Sequence, residues 1–117
     1  MIENAKITSC DLSMANHGCL TLRLGIQGNG WGCVYGNCCI GNGYLGAEKF
    51  KSYKYASEYI MRIMDTVGVE NFNDLNGKYI RVEVGSRGSS IDKIGHIIKD
   101  KWFSQKEFFE EHKEKEE

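Results

Sequence analysis

The segment CLTLRLGI, residues 19–26, carries Leu20, Leu22, Leu24 and Ile26 at every second position. Only an extended strand gathers such a set on one side, so the chain is expected to build a sheet with one apolar face. The same alternation runs through residues 2–13, and Asn16-His17-Gly18 supplies the turn between the two. Gly28-Asn29-Gly30 turns the chain again, into a third strand over residues 31–40 with Trp31, Cys33 and Tyr35 on one face. Together these segments read as an antiparallel meander. With no proline in the sequence, its turns rest on glycine and asparagine.

The period then changes. Ala56, Ile60, Ile63, Met64 and Val67 recur at helical spacing and stop at Gly68, a natural C-terminal cap followed by Val69. The main helix is therefore expected over residues 52–67, covering one face of the sheet. Asn71 and Asp74 bracket a short helical turn, and Asn76-Gly77 leads into KYIRVEV, with Ile80, Val82 and Val84 inward and Tyr79, Arg81 and Glu83 outward. A fifth strand is expected over residues 92–98, after the loop GSRGSS. Ser104 and Glu107 form a capping box, with Phe103 and Phe108 placed as its hydrophobic staple, so a C-terminal helix starts there. The fold expected is α+β: an antiparallel sheet of about five strands, one main helix packed on it, and a C-terminal helix. Residues 1–109 read as one domain and 110–117 as an acidic tail that frays into solvent.

Charge and cysteine usage narrow the function. The 117 residues carry a formal net charge of −1, but removing the tail's five acids and two lysines leaves 11 acidic against 13 basic residues. A mildly basic body suits a small anionic ligand better than a DNA or RNA duplex. No stretch approaches the ~18 apolar residues of a membrane span, and MIENAKITS lacks the pattern of a secretion signal, so a cytoplasmic location is expected. Cys10, Cys19, Cys33, Cys38 and Cys39 are an odd set without knuckle spacing, which points to reduced thiols and to no metal site.

GNGYLG, residues 41–46, matches the dinucleotide fingerprint G-x-G-x-x-G. Its setting does not, because the fingerprint belongs between the first strand and first helix of a parallel unit, whereas here it follows the third strand of a meander. Glycines serving turns and close packing explain it better. The glycine series from Gly28 to Gly46 is nonetheless denser than turns alone require, and glycine within a strand marks close approach of a ligand or a second backbone. Around it stand Arg62 on the main helix, Arg81 on a strand, Arg87 in a loop and Lys99 at a strand end. Arginine forks hold phosphates, and Trp31, Tyr35, Tyr44 or Trp102 offer faces for a base; the competing reading is of surface charges and core aromatics. His17 and His96 have no local signature joining them to a cysteine nucleophile.

The chain resembles the first described type of phage Thoeris anti-defence proteins, sponges for a nucleotide immune signal. The resemblance is carried by IENAKITS (2–9), NHGCLTL (16–22), GWGCVYGN (30–37), EYIMRIMDTVGVENFNDLNGKYIRV (58–82) and IGHIIKDKWF (94–103). It departs from the family's pattern near Tyr35-Gly36-Asn37-Cys38, where a second glycine and an aromatic residue are expected. The resemblance implies an α+β domain that forms dimers or hexamers and holds glycocyclic ADP-ribose, or in some members cyclic oligonucleotides, without cleavage and without a cofactor. On that reading Arg81, Arg62, Arg87 and Lys99 would bind phosphate, Tyr35, Trp31 and His96 would contact base or ribose, and Gly32 and Gly36 would allow close backbone approach. A direct protein inhibitor of a host defence protein and a phosphodiesterase are the alternatives.

Overall fold

The computed structural model describes residues 1–16, 18–42, 51–85 and 90–113. Among these, seven strands form one antiparallel sheet: β1 Ile2–Asn16, β2 Cys19–Gln27, β3 Gly32–Asn42, β4 Lys51–Ser52, β5 Tyr79–Val84, β6 Ile91–Gly95 and β7 Trp102–Phe103. Their spatial order is β4-β3-β2-β1-β5-β6-β7, two meanders joined where β1 pairs with β5. Helices α1 Ala56–Val67 and α2 Gln105–His112 complete an α+β fold. No helix among the described residues is long and apolar enough to cross a membrane.

Alternation places Leu22, Leu24 and Ile26 of β2 inside with Ile80 and Val82 of β5, all essentially without exposure. Against them α1 presents Tyr59, Ile63 and Val67, one helical turn apart on a single stripe. The sheet curls strongly enough for its two ends to meet. The Tyr35 hydroxyl, from β3, donates to the carbonyl of Phe103 in β7 at 3.4 Å.

A bulge in β3 makes this geometry possible. Arg23 faces Gly36 and Leu22 faces Cys38, which leaves Asn37 without an opposite number. Gly36 and Asn37 both have positive φ, 97° and 62°. The extra residue reverses the parity of the strand, so Tyr35 and Ile40 are both buried although they are five positions apart. In β1 a register shift between Ile7 and Ser9 does the same, carrying Cys10 to the inner side behind Ala5 and Ile7.

Three expectations change in detail. The main helix begins at Ala56 and not at residue 52, because Lys51 and Ser52 pair with Asn42 and Gly41 and the Tyr53 amide donates to the Ile40 carbonyl. The fifth strand stops at Gly95, where the chain turns around His96. The C-terminal helix continues to His112, which is 2 % exposed and stacks on Phe108 and Tyr55 at 4.3 Å from each ring. The two additional strands, β4 and β7, are two residues each. Caps match the sequence: Gly68 is left-handed and donates to Met64, Ser104 Oγ accepts from the Glu107 amide, and the Phe103 and Phe108 rings lie 5.8 Å apart.

A Cβ on Gly36 would come within 2.5 Å of the Leu22 carbonyl oxygen, whereas one on Gly30, also at positive φ, would meet nothing within 4 Å. Gly30→Ala should therefore lose about 1 kcal/mol and Gly36→Ala about 2 kcal/mol or more in denaturant unfolding. Equal losses would remove the bulge from this account.

Candidate functional site

Two recesses border β3. The larger, of about 660 Å³, opens between β3 and β6 with the first turn of α2 at its base. The second, of about 550 Å³, is shallow and lies around Gly25, Gly32 and Trp31.

The base of the larger cleft is a closed polar network. Tyr35 Oη accepts from the Gln105 amide at 2.8 Å while donating to Phe103. The Gln105 side chain then accepts from Tyr59 Oη at 2.7 Å and donates to Cys38 Sγ at 2.9 Å. One glutamine at the start of α2 thus ties β3 to α1. Burial pushes the Tyr35 phenol up to about 12 against the opposing hydrogen bond from Gln105, and burial also raises Tyr59. It likewise raises the Cys33 and Cys38 thiols, which keeps both in the unreactive protonated form at neutral pH.

Four carboxylates line this cleft, Glu83, Asp92, Glu107 and Glu110, against Lys93 and Lys106. Lys93 lies 4.0 Å from Glu83, so among the described residues one lysine faces three acids. That field opposes a phosphate. The shallow groove is different, because none of its lining residues carries a charge: Thr8, Gln27 and Trp31 stand around a floor of Gly25, Gly30 and Gly32. Trp31 is fixed there by Gly28, over which the indole lies, and by donation from Nε1 to Glu3 at 3.0 Å.

Among the described candidate cations, Arg62, Arg81 and Lys99 line neither recess. Arg81, His96 and Lys99 do come together, but around a turn: Arg81 Nε donates to the His96 carbonyl and Nη2 to the Lys99 carbonyl, both at 2.8 Å. His96 Nδ1 accepts from the amides of Ile98 and Lys99, each at 3.0 Å. The ring therefore closes the turn from inside while its other edge rests against Gly68. Arg81 also stacks on Trp102 at 4.8 Å, and the indole crosses Gly95, where a Cβ would lie 2.5 Å from it. Arg62 bridges Glu58 and Glu111 at 2.9 and 3.0 Å. Those carboxylates and His112 bring three ligand atoms within 4.8 Å of one another, and the guanidinium occupies the cation position between the acids. Arg87, His17 and Tyr44 lie outside the described residues, as does GNGYLG beyond Asn42.

Tyr35 and Gly36 border the acidic cleft, Trp31 and Gly32 the uncharged groove. Tyr35 is buried in the network, and Gly36 admits the Leu22 carbonyl of its own sheet. Gln105 had no sequence signal beyond following the Ser104 cap. Searched against protein-family models, curated proteins and solved structures, the chain matched none.

Two measurements check these roles. Tyr35 and Tyr59 hold their protons more tightly folded than at the ordinary value of 10. Stability is therefore complete below pH 10 and should fall as pH rises toward about 12, by about 1.4 kcal/mol per pH unit for each phenol; Tyr35→Phe should halve the slope. Arg81→Ala frees two carbonyls and uncovers Trp102, so it should cost about 2 kcal/mol in thermal unfolding, with Arg81→Lys intermediate. An unchanged Tm in the alanine variant would show that the turn holds without the guanidinium.

Proposed function

We propose that this protein sequesters a cyclic nucleotide-type signal, glycocyclic ADP-ribose or a cyclic oligonucleotide, in the cytoplasm of the host cell without cleaving it, as the family its sequence resembles does. The observation that carries this reading is the uncharged groove beside Trp31. Its 550 Å³ falls in the range of small-molecule sites, and Gly30 and Gly32 in its lining leave open the space a side chain would take, whereas Ser9 fills that beside Gly25.

The hydrogen-bonding pattern of the strand supports the same reading. The Gly28 amide donates to the Trp31 carbonyl, so the next pairs alternate and the N–H and C=O of Gly32 and Val34 point away from β2. No strand among the described residues pairs with that edge of β3 before Gly41. Trp31 offers a face for a base, Thr8 and Gln27 offer polar groups, and the Gly32 amide offers a donor to an anionic oxygen.

A groove this open would enclose its ligand only when a second surface covers it. The reading therefore includes a homo-oligomer, a dimer or a hexamer, whose further protomer supplies that cover and the phosphate-binding cations. Arg81 and Arg62 are committed within their own protomer; the side chain of Lys99 remains a candidate, as does Arg87, which lies outside the described residues.

Incubation with a panel of cyclic nucleotides and cyclic ADP-ribose isomers, followed by heating, tests this directly. Depletion of one compound and its intact recovery are expected; a cleaved product would indicate a phosphodiesterase, and no depletion at all would sink the sponge. Gly32→Val places its Cβ no closer than 3.6 Å to the Ile26 carbonyl, so the fold should hold while the filled groove loses tenfold or more in affinity, at least about 1.4 kcal/mol. Light scattering at micromolar concentration should report an oligomer.

A further inference from the structure

The larger cleft separates two strand edges. On the β3 side Val34 directs its N–H and C=O outward, and its side chain is 58 % exposed. On the β6 side the Gly85 amide donates to the Ser90 carbonyl, so in the next pair, Val84 with Ile91, the backbone groups of Ile91 face away from β5. Val84 confirms that phase, since its own amide donates to Met1 on the opposite side. Strand β7 covers β6 only at Ile94 and Gly95. Among the described residues the curled sheet is thus bridged at one end by Tyr35 and Phe103 and open at the other, with donors and acceptors of both edges turned into one cleft.

We propose that this cleft is a docking slot for an extended, lysine- or arginine-bearing segment of a partner protein, which enters as an added strand between β3 and β6. Backbone pairing supplies the attachment, as in other cases of strand addition. Charge selects the occupant: among the described residues Asp92, Glu107 and Glu110 face the slot with Lys106 as their counterweight once Lys93 is set against Glu83. Cations placed on alternate residues of an entering strand would meet those carboxylates, and an acidic strand would be repelled. The same field disfavours the chain's own acidic C-terminus. It also gives no preference to the β3 edge of a second copy, which has no charged residue from Gly32 to Gly36. The ligand groove around Trp31 shares Cys33 and Val34 with the slot, so the charge preference, which reads carboxylates the groove lacks, keeps the two readings apart.

Fluorescence anisotropy with short synthetic peptides tests it on the unmodified protein. A labelled peptide alternating lysine and valine should bind at least about tenfold more tightly than its glutamate-valine counterpart. N-methylation of alternate backbone nitrogens keeps every charge but removes the donors; it should abolish binding of the lysine peptide. Val34→Pro, at an amide outside the β2 ladder, should weaken binding equally with Tm retained. Asp92→Lys with Glu107→Lys should reverse the charge preference, which keeps the test open if the proline variant does not fold. Equal affinity for both peptides, or undiminished binding of the N-methylated one, would overturn strand addition in favour of surface adsorption. Failure of the lysine peptide to bind, together with loss of oligomer in Val34→Pro, would assign the edge to a second copy and overturn the proposal.

Discussion

A single phenol holds the two ends of this sheet together. Tyr35 reaches from β3 to the Phe103 carbonyl and the Gln105 amide, and through Gln105 the contact extends to Tyr59 on the main helix. Tyr35 and Tyr59 are buried, Gln105 is half-buried between them, and the hydrogen bonds join all three, which is how a polar network in a core helps to specify one arrangement. Without it the strands would still alternate correctly, but the extent of the curl would rest on the Gln105 contact with Cys38 and on the packing of Phe103 and Phe108 alone. The cleft between β3 and β6 exists because curling stops there, with α2 seated in the gap.

The same economy of partners governs the cations. Within one protomer Arg81 holds a turn and Arg62 holds α2 to α1, each with groups of the fold itself. A guanidinium with carbonyl and aromatic partners already in place gains little by exchanging them for a phosphate. On the proposed reading, an anion would therefore have to be held by backbone donors, by Trp31 and by groups of a neighbouring copy. The acidic slot and the uncharged groove both border one glycine-rich strand, and the occupants proposed for them are chemically opposite.

Most of the fold was legible in the sequence. The period of two in CLTLRLGI and KYIRVEV set the strands and their inner faces, and Gly68, Asn71, Gly77 and Ser104 marked the ends of elements because each carries a local mechanism that tertiary structure did not override. What could not be read was parity beyond a bulge. Nothing in YGNC announces that Asn37 is supernumerary, since a glycine followed by asparagine equally suits a turn. The candidate site was less legible for a related reason: residue type gives a side chain's capacity, whereas its partner depends on pairs distant in sequence. Arg81 was rightly placed on the outer face, yet its engagement with residues 96 and 99 depends on a turn whose closing residue, His96, looked like a strand residue. Trp31 and Gly32 were found together because they are adjacent.

The placement of β1 at the middle of the sheet has a consequence for how the chain is made. Its first residues, Ile2–Lys6, pair with β5, whose partners Tyr79–Glu83 follow more than seventy positions later. A ribosome would release β1 and β2 as a hairpin long before β5 emerges, leaving the other side of β1 an unpaired template in the nascent chain. Completion of the sheet must await the synthesis of a distant segment, and the early hairpin is exposed to mispairing with neighbours during that interval. Asn4 and Lys6, the polar residues that alternate with Ala5 and Ile7 there, are the kind of side chain that keeps such an edge soluble while it waits.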